Sequence, residues 1–274
     1  TEDIEKRKVR NINVEEKPTG EISAGAGVGT DGTTVAFGIR ENNYLGKGLK
    51  LNSNIVLSEE SVKGQFGVTN PNYNNSDKLV YATALANETD RLTNFGYKTN
   101  KAGFEIGVEY EYLDDFNLGL STSSFYENIE TSSSASARQK KQKGNYWDSF
   151  VKMVFDYDKR NQKFQTTDGF RSTYSINLPV ISDTNTITNS YRYKVFRELY
   201  ENNVTSMNIL IKSAVSPDSD VKLSERLYIP SRDLRGFESG KIGPKDGDDF
   251  VGGNFATTIN FTSTVPQLLQ NVEN

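Results

Sequence analysis

Arg235 is the residue whose setting most invites chemistry. It lies between Leu234 and Gly236, in a stretch 224–254 that also holds Leu227, Tyr228, Ile229, Phe237 and Ile242. Pro230 and Pro244 exclude a central strand there, and Gly236, Gly240, Gly243 and Gly247 break any regular element. A long irregular connection this rich in apolar groups is expected to pack against something. A guanidinium carried into such a place needs a carboxylate, so the chemistry implied is ion pairing. Covalent chemistry has little to work with. The chain contains no histidine and no cysteine. That removes a Ser-His-Asp triad, a His-based zinc site, thiolate chemistry and any disulfide framework. Ser and Asp are plentiful, but no nucleophile, base and orienter set can be named, so catalytic residues: none. Asp246-Gly247-Asp248-Asp249 has a calcium-like look without the full ligand pattern, and is expected to be an acidic loop tip; metal: none, cofactors: none.

A second chemistry is backbone hydrogen bonding. Glu21-Ile22-Ser23-Ala24-Gly25-Ala26-Gly27-Val28-Gly29 alternates small residues, with Gly25, Gly27 and Gly29 as its weak points. Glycine weakens a strand through backbone entropy and lost packing. The plainer reading is that these glycines relieve crowding in a curved sheet. The stretch 131–143 is low-complexity and basic. It could meet an anionic surface, but is expected to be a solvated, mobile loop.

These groups must be positioned by strands. From Gly20 onward the dominant period is two, repeated about twelve times. Phe104, Ile106, Val108, Tyr110 and Tyr112 share one face, and Glu105, Gly107, Glu109 and Glu111 the other. Strands are expected near 20–29, 33–42, 47–58, 61–70, 78–89, 101–112, 116–129, 147–158, 169–181, 190–200, 205–215 and 251–264. Two architectures fit: a soluble sandwich, or a transmembrane barrel with the apolar face toward lipid. Long connections at roughly 130–146 and 216–250, opposite short turns such as 113–115, favour the barrel. Aromatic residues near strand ends, among them Tyr44, Tyr73, Phe95, Tyr97, Phe116, Tyr126, Tyr146, Trp147, Tyr157 and Tyr200, suit an interfacial girdle or ordinary strand composition. No apolar run reaches a membrane helix. The net charge of −4 with mixed signs gives no reason to expect nucleic acid. The chain does not start with methionine and carries no signal peptide, so it reads as an internal fragment.

Leu234-Arg235-Gly236-Phe237, then Ile242-Gly243-Pro244-Lys245, then Val251-Gly252-Gly253-Asn254 resembles the signature of the BamA, or bacterial surface antigen, family of outer-membrane assembly factors. Asn13 to Gly20 is similar to that family's junction between the last POTRA domain and the barrel, and Asn42 to Gly48 resembles its first periplasmic turn. The resemblance implies an all-β fold: an antiparallel transmembrane β-barrel, incomplete, with about twelve of roughly sixteen strands present. It implies that 1–19 is the end of the last POTRA domain with a linker, and 20–274 a C-terminally truncated barrel. It implies a lumen-loop motif reaching an acidic inner wall, a strand motif at 251–254 after the loop, and a seam strand at Gly25, Gly27 and Gly29. Related sequences usually carry an acidic residue where Asn260 stands. The implied function is folding and inserting client β-barrel proteins into the bacterial outer membrane through a lateral seam, by strand templating. Implied partners are unfolded outer-membrane clients, accessory lipoproteins and outer-membrane lipid. A two-partner secretion transporter, the translocation and assembly module barrel, or a passive channel are the alternatives.

Overall fold

The structure is a computed structural model; it describes residues 17–29, 32–91, 95–200, 203–230, 232–238 and 240–264. The POTRA-end stretch expected before Lys17 lies outside these residues. Period-two patterning becomes a run of long strands: β1 (Gly20–Gly29), β2 (Gly32–Tyr44), β3 (Leu49–Ser58), β4 (Ser61–Asn70), β5 (Leu79–Arg91), β6 (Tyr97–Leu113), β7 (Phe116–Thr131), β8 (Gly144–Asp158), β9 (Gly169–Ser182), β10 (Ile187–Tyr200) and β11 (Asn203–Val215). A small hairpin, β12 (Lys245–Asp246) with β13 (Asp249–Phe250), follows within the long connection, and β14 (Phe255–Ser263) comes last. Eleven strands in sequence order and then β14 form one 12-stranded sheet. Each neighbouring pair is antiparallel, as in Ala24 opposite Phe37 and Ile209 opposite Ile259. Among the described residues β1 and β14 are the two edges and do not pair with each other.

Register sorts the side chains onto two faces. On the apolar face Leu118 lies opposite Phe155, Leu120 opposite Met153 and Thr122 opposite Val151. The hydroxyls of Ser124 and Ser149, on the same face, hydrogen-bond each other at 2.7 Å, which removes two polar groups from an apolar surface. Aromatic cross-strand pairs bound this band: Tyr126 with Trp147 at one end, Phe116 with Tyr157 at the other. Ten residues separate the pairs, roughly 33 Å along a strand, or about 25 Å in height at a tilt near 40°, the height of a membrane barrel's apolar band. Phe170 and Tyr193 continue the second belt, with ring centroids 5.6 Å and 5.8 Å from their neighbours.

Phe95, Tyr97 and Tyr146 do not join the girdle. Tyr146 sits one residue from Trp147 and opposite Glu127, so it turns to the polar side. There Phe95, Tyr97, Ile129 and Leu223 form a buried cluster, with Tyr146, Tyr228 and Phe250 packed against it. The core is therefore made between the sheet's polar face and the long connection that lies on it.

The basic stretch expected to be a mobile solvated loop is an ordered turn. Ala137–Lys140 is one helical turn with a capping box: the Ser136 hydroxyl accepts from the Gln139 N–H, and the Gln139 side chain accepts from the Ser136 N–H. Gln139 is 1% exposed and donates to the Phe95 carbonyl at 3.0 Å. Polar residues are held in because their partners come from neighbouring segments, which composition alone does not reveal.

Candidate functional site

The long connection between Val215 and Phe255 runs across the polar face and is fastened at both ends of its path. The upper fastening is Lys222, between Val221 and Leu223. All three are about 2% exposed. The Lys222 ammonium lies 2.8 Å from Glu127 Oε2 on β7, hydrogen-bonds Asp148 on β8, and is 3.6 Å from Glu225 Oε1. The carboxylates are held in turn: the Ser224 hydroxyl donates to Glu127 at 2.9 Å, and Thr184 donates to Asp148 through both its N–H (3.1 Å) and its hydroxyl (2.9 Å). The Tyr146 ring covers the ammonium at 5.2 Å. Burial would lower the pKa of Lys222, but the charges of Glu127 and Glu225 outweigh it and push the ammonium above its ordinary range. Burial pushes the Glu225 carboxyl up, with Lys222 opposing. A cation this deeply buried persists only because its partners are complete.

The 132–143 turn clasps this region from outside. Arg138 makes two 2.7 Å hydrogen bonds to Asp220, and Ser136 donates to Asp246 at 2.6 Å. Gln142 accepts from the Leu223 N–H at 2.8 Å.

The lower fastening has the opposite polarity. Asp233, 3% exposed, accepts from Arg192 of β10 at 2.9 Å and 3.2 Å. Asn260 of β14 donates to the Asp233 carbonyl at 2.7 Å. Asn260 thus holds the loop through its backbone, a task an acidic residue could not perform as a donor. Burial would raise the Asp233 carboxyl, but Arg192 holds it below the usual range.

Arg235 lies two residues on. It is exposed, and among the described residues no carboxylate comes within ion-pairing distance of it. With Arg192, Lys194, Asn208, Arg232 and Asn260 it lines a cavity of ≈ 930 Å3. The acidic partner expected from its setting is therefore not supplied by this sheet; the charge carried into a packed place is Lys222. Leu234 is half-buried beside it, and Gly236 (φ +86°) and Phe237 are exposed.

The other motif residues build the return of the loop. Ile242 is half-buried, Gly243 takes φ +135°, and Pro244 accepts from the Val251 N–H at 3.1 Å. The Lys245 ammonium lies over the Phe250 ring at 4.3 Å. Val251, Gly252, Gly253 and Asn254, expected to open the last strand, precede it. Gly253 makes an antiparallel bridge with Leu227, and only the Asn254 carbonyl reaches β11, accepting from Ala214 at 2.8 Å. The cause is Gly252. It has φ +66°, and a Cβ there would stand 2.9 Å from the Tyr228 ring and 3.0 Å from the Leu227 carbonyl. The chain turns at that point, and β14 starts at Phe255.

The seam glycines lie on the edge strand. Gly25 is opposite Ala36, Gly27 opposite Thr34 and Gly29 opposite Gly32. A Cβ built at Gly25 or Gly27 meets nothing within 4 Å, whereas one at Gly107 would meet the Tyr81 ring at 2.5 Å. Crowding within this sheet does not account for Gly25 and Gly27.

The Omp85 superfamily domain matches residues 43–272. The outer membrane protein assembly factor BamA of Neorickettsia risticii (strain Illinois) is 24% identical over 256 residues, covering 90% of this chain and 34% of the relative. The chain thus spans about a third of the length of the curated relative it matches. The crystal structure of BamA from Haemophilus ducreyi lacking POTRA domains 1-3 superposes with a TM-score of 0.82 at 18% identity, covering 93% of this chain and 55% of that one. This likeness identifies the sheet as part of an antiparallel transmembrane β-barrel that is not closed within the described residues. A banded apolar face, a polar face with a latched loop, and a family match over most of the length agree: the chain belongs to the Omp85 superfamily, whose members are outer-membrane β-barrel proteins.

Proposed function

We propose that this sheet is the larger part of an outer-membrane insertase barrel, which folds client β-barrel proteins by offering a strand edge at a lateral seam. The observation that carries the reading is β1. It pairs along its whole length with β2, presents its other edge, and carries at Gly25 and Gly27 glycines that no crowding requires. A strand short of side-chain packing separates from a partner at low cost, and its freed N–H and C=O groups can template an incoming strand. Nothing in this requires a covalent step. Clients, accessory lipoproteins and membrane lipid are the partners this reading assigns.

The test uses the full-length protein in its membrane. The 274 residues of this chain include no cysteine. One engineered in β1 and one in the strand that closes the barrel can therefore join the seam, after any cysteine elsewhere in the full-length protein is replaced. Locking the seam should stop client assembly, and reduction should restore it. Normal assembly with the seam locked would overturn the reading and move a translocation channel ahead of it.

A further inference from the structure

We propose that Lys222 and Asp233 are paired positioning residues that fix the long loop in one register on the barrel wall through two latches of opposite charge. Lys222 is a loop cation on an acidic wall, Glu127 and Asp148. Asp233 is a loop anion on a basic wall, where Arg192 binds it directly and Lys194 and Lys212 lie close enough to feel its charge. A loop displaced along the wall carries both latch residues away from their partners, and one of them toward wall charges of its own sign.

The two latches stand far apart on the wall. Asp148 stands opposite Ser182 and Arg192 opposite Thr173, nine residues apart along β9. Nine strand residues span roughly 30 Å. The connection from Lys222 to Asp233 can reach at most roughly 36–40 Å when fully extended. The segment between the latches is not fully extended: Leu223–Glu225 is a 3-10 turn, and the Asp233 N–H donates to the Pro230 carbonyl at 2.9 Å. These turns shorten its reach and set the spacing of the two latch residues. The Asn260 hydrogen bond to the Asp233 carbonyl adds a directional tie at the lower end. The motif residue is Arg235, but the register is set by Lys222 and Asp233, which both precede it in the chain.

This inference rests on the insertase reading for its functional consequence, but its structural half is tested separately. In the full-length protein in lipid, hydrogen exchange is followed in the loop peptides 221–228 and 232–238. Asp233→Arg should speed exchange in 232–238 by at least about tenfold, because a second cation then faces Arg192. Adding Arg192→Asp restores the opposite-charge pair and should bring exchange back to within about twofold of the parent. Lys222→Met should speed exchange in 221–228 to a similar degree, and Lys222→Arg much less. Should Asp233→Arg fail to fold, Asp233→Asn removes the charge with the same shape and the same readout. Unchanged exchange in Asp233→Asn and Asp233→Arg, or no recovery on adding Arg192→Asp, overturns the two-latch inference. Client assembly is measured in parallel. Freed latches with normal assembly would leave the latches standing and remove the loop from the insertase mechanism.

Discussion

The Lys222 ammonium and the Glu127 carboxylate face each other at 2.8 Å with both side chains 2% exposed. This is the most deeply buried ion pair among the described residues, and it joins a loop to a barrel strand. Removing one member strands the other charges in the interior, typically at about 3–5 kcal/mol. Lys222→Met should therefore lower the stability of the loop's attachment by that order, while the strand content stays unchanged. The measurement is denaturant unfolding of the full-length barrel followed by far-ultraviolet circular dichroism, compared with protease cutting of the loop. A loss of strand signal in step with loop cutting would show that Lys222 supports the barrel as a whole.

The same latch has a pH signature. The folded pKa of Lys222 is raised. Its stabilisation is thus fully present below the unfolded value near 10.4 and is lost as pH rises through the folded value. Glu225 is also raised, by burial, so its favourable contribution belongs to low pH and is lost on going up. Asp220 and Asp233 are lowered, by Arg138 and Arg192, and their contributions are present above about pH 3.9 and lost below it. The expected outcome is a loop that stays docked from about pH 5 to 10 and loosens at both extremes. A dye on Glu238→Cys, an exposed loop position, reports this. Release between pH 6 and 8 would contradict the charge assignments.

Arg192 and Arg235 should separate docking from function. Arg192→Ala takes away both hydrogen bonds to the buried Asp233 carboxylate, leaving the exposed Arg232 at 3.7 Å, and should loosen the lower arm of the loop. Arg235→Ala removes an exposed group and should leave the loop docked while impairing client assembly. Protease cutting near 232–238, set beside an assembly assay for both variants, checks the pair. Loop release in Arg235→Ala would show that a partner outside the described residues carries the docking.

Much of this fold is legible in the sequence because a membrane strand has one dominant physical demand. Phe104, Ile106, Val108 and Tyr110 must all face one way, and an unbroken period of two states that directly. The site is less legible because its interactions join segments far apart in the chain. Lys222, flanked by Val221 and Leu223, carries the same local signal as Arg235 between Leu234 and Gly236. Its partners Glu127 and Asp148 lie 95 and 74 positions away, and nothing local marks them. The 132–143 turn misleads for the same reason: Gln139 and Ser136 are polar by composition, but Phe95 and Asp246 satisfy them. Gly252 is visible as part of a motif, yet its left-handed backbone against Tyr228, which delays β14, is a tertiary fact.

Gly252 and Gly243 allow that point to be tested. Both have positive φ, but only Gly252 has neighbours where a Cβ would stand. Gly243→Ala should cost about 1 kcal/mol from backbone strain alone. Gly252→Ala adds the collision with Tyr228 and the Leu227 carbonyl and should cost more, with the Leu227–Gly253 bridge opening first. Thermal unfolding of the two variants, with hydrogen exchange at Leu227 and Gly253, distinguishes them. Equal effects would mean the Tyr228 ring yields freely.

The seam strand gives the sharpest test of function. A Cβ at Gly25 or Gly27 meets nothing within 4 Å, so alanine fits both positions in this sheet. Gly25→Ala/Gly27→Ala should fold normally. Each alanine has less backbone entropy to lose than glycine, so β1 should gain about 0.5–1 kcal/mol per site. Hydrogen exchange of the full-length protein in lipid should then show β1 protected more strongly than in the parent, and closer to β6, whose Phe104 and Ile106 pack along the apolar face. If the seam must open for each client, the same variant should assemble clients more slowly, by up to about tenfold for a gain near 1.4 kcal/mol. Stronger protection of β1 with an unchanged assembly rate would show that opening this strand is not the limiting step. Unchanged protection would show that glycine entropy does not set its stability.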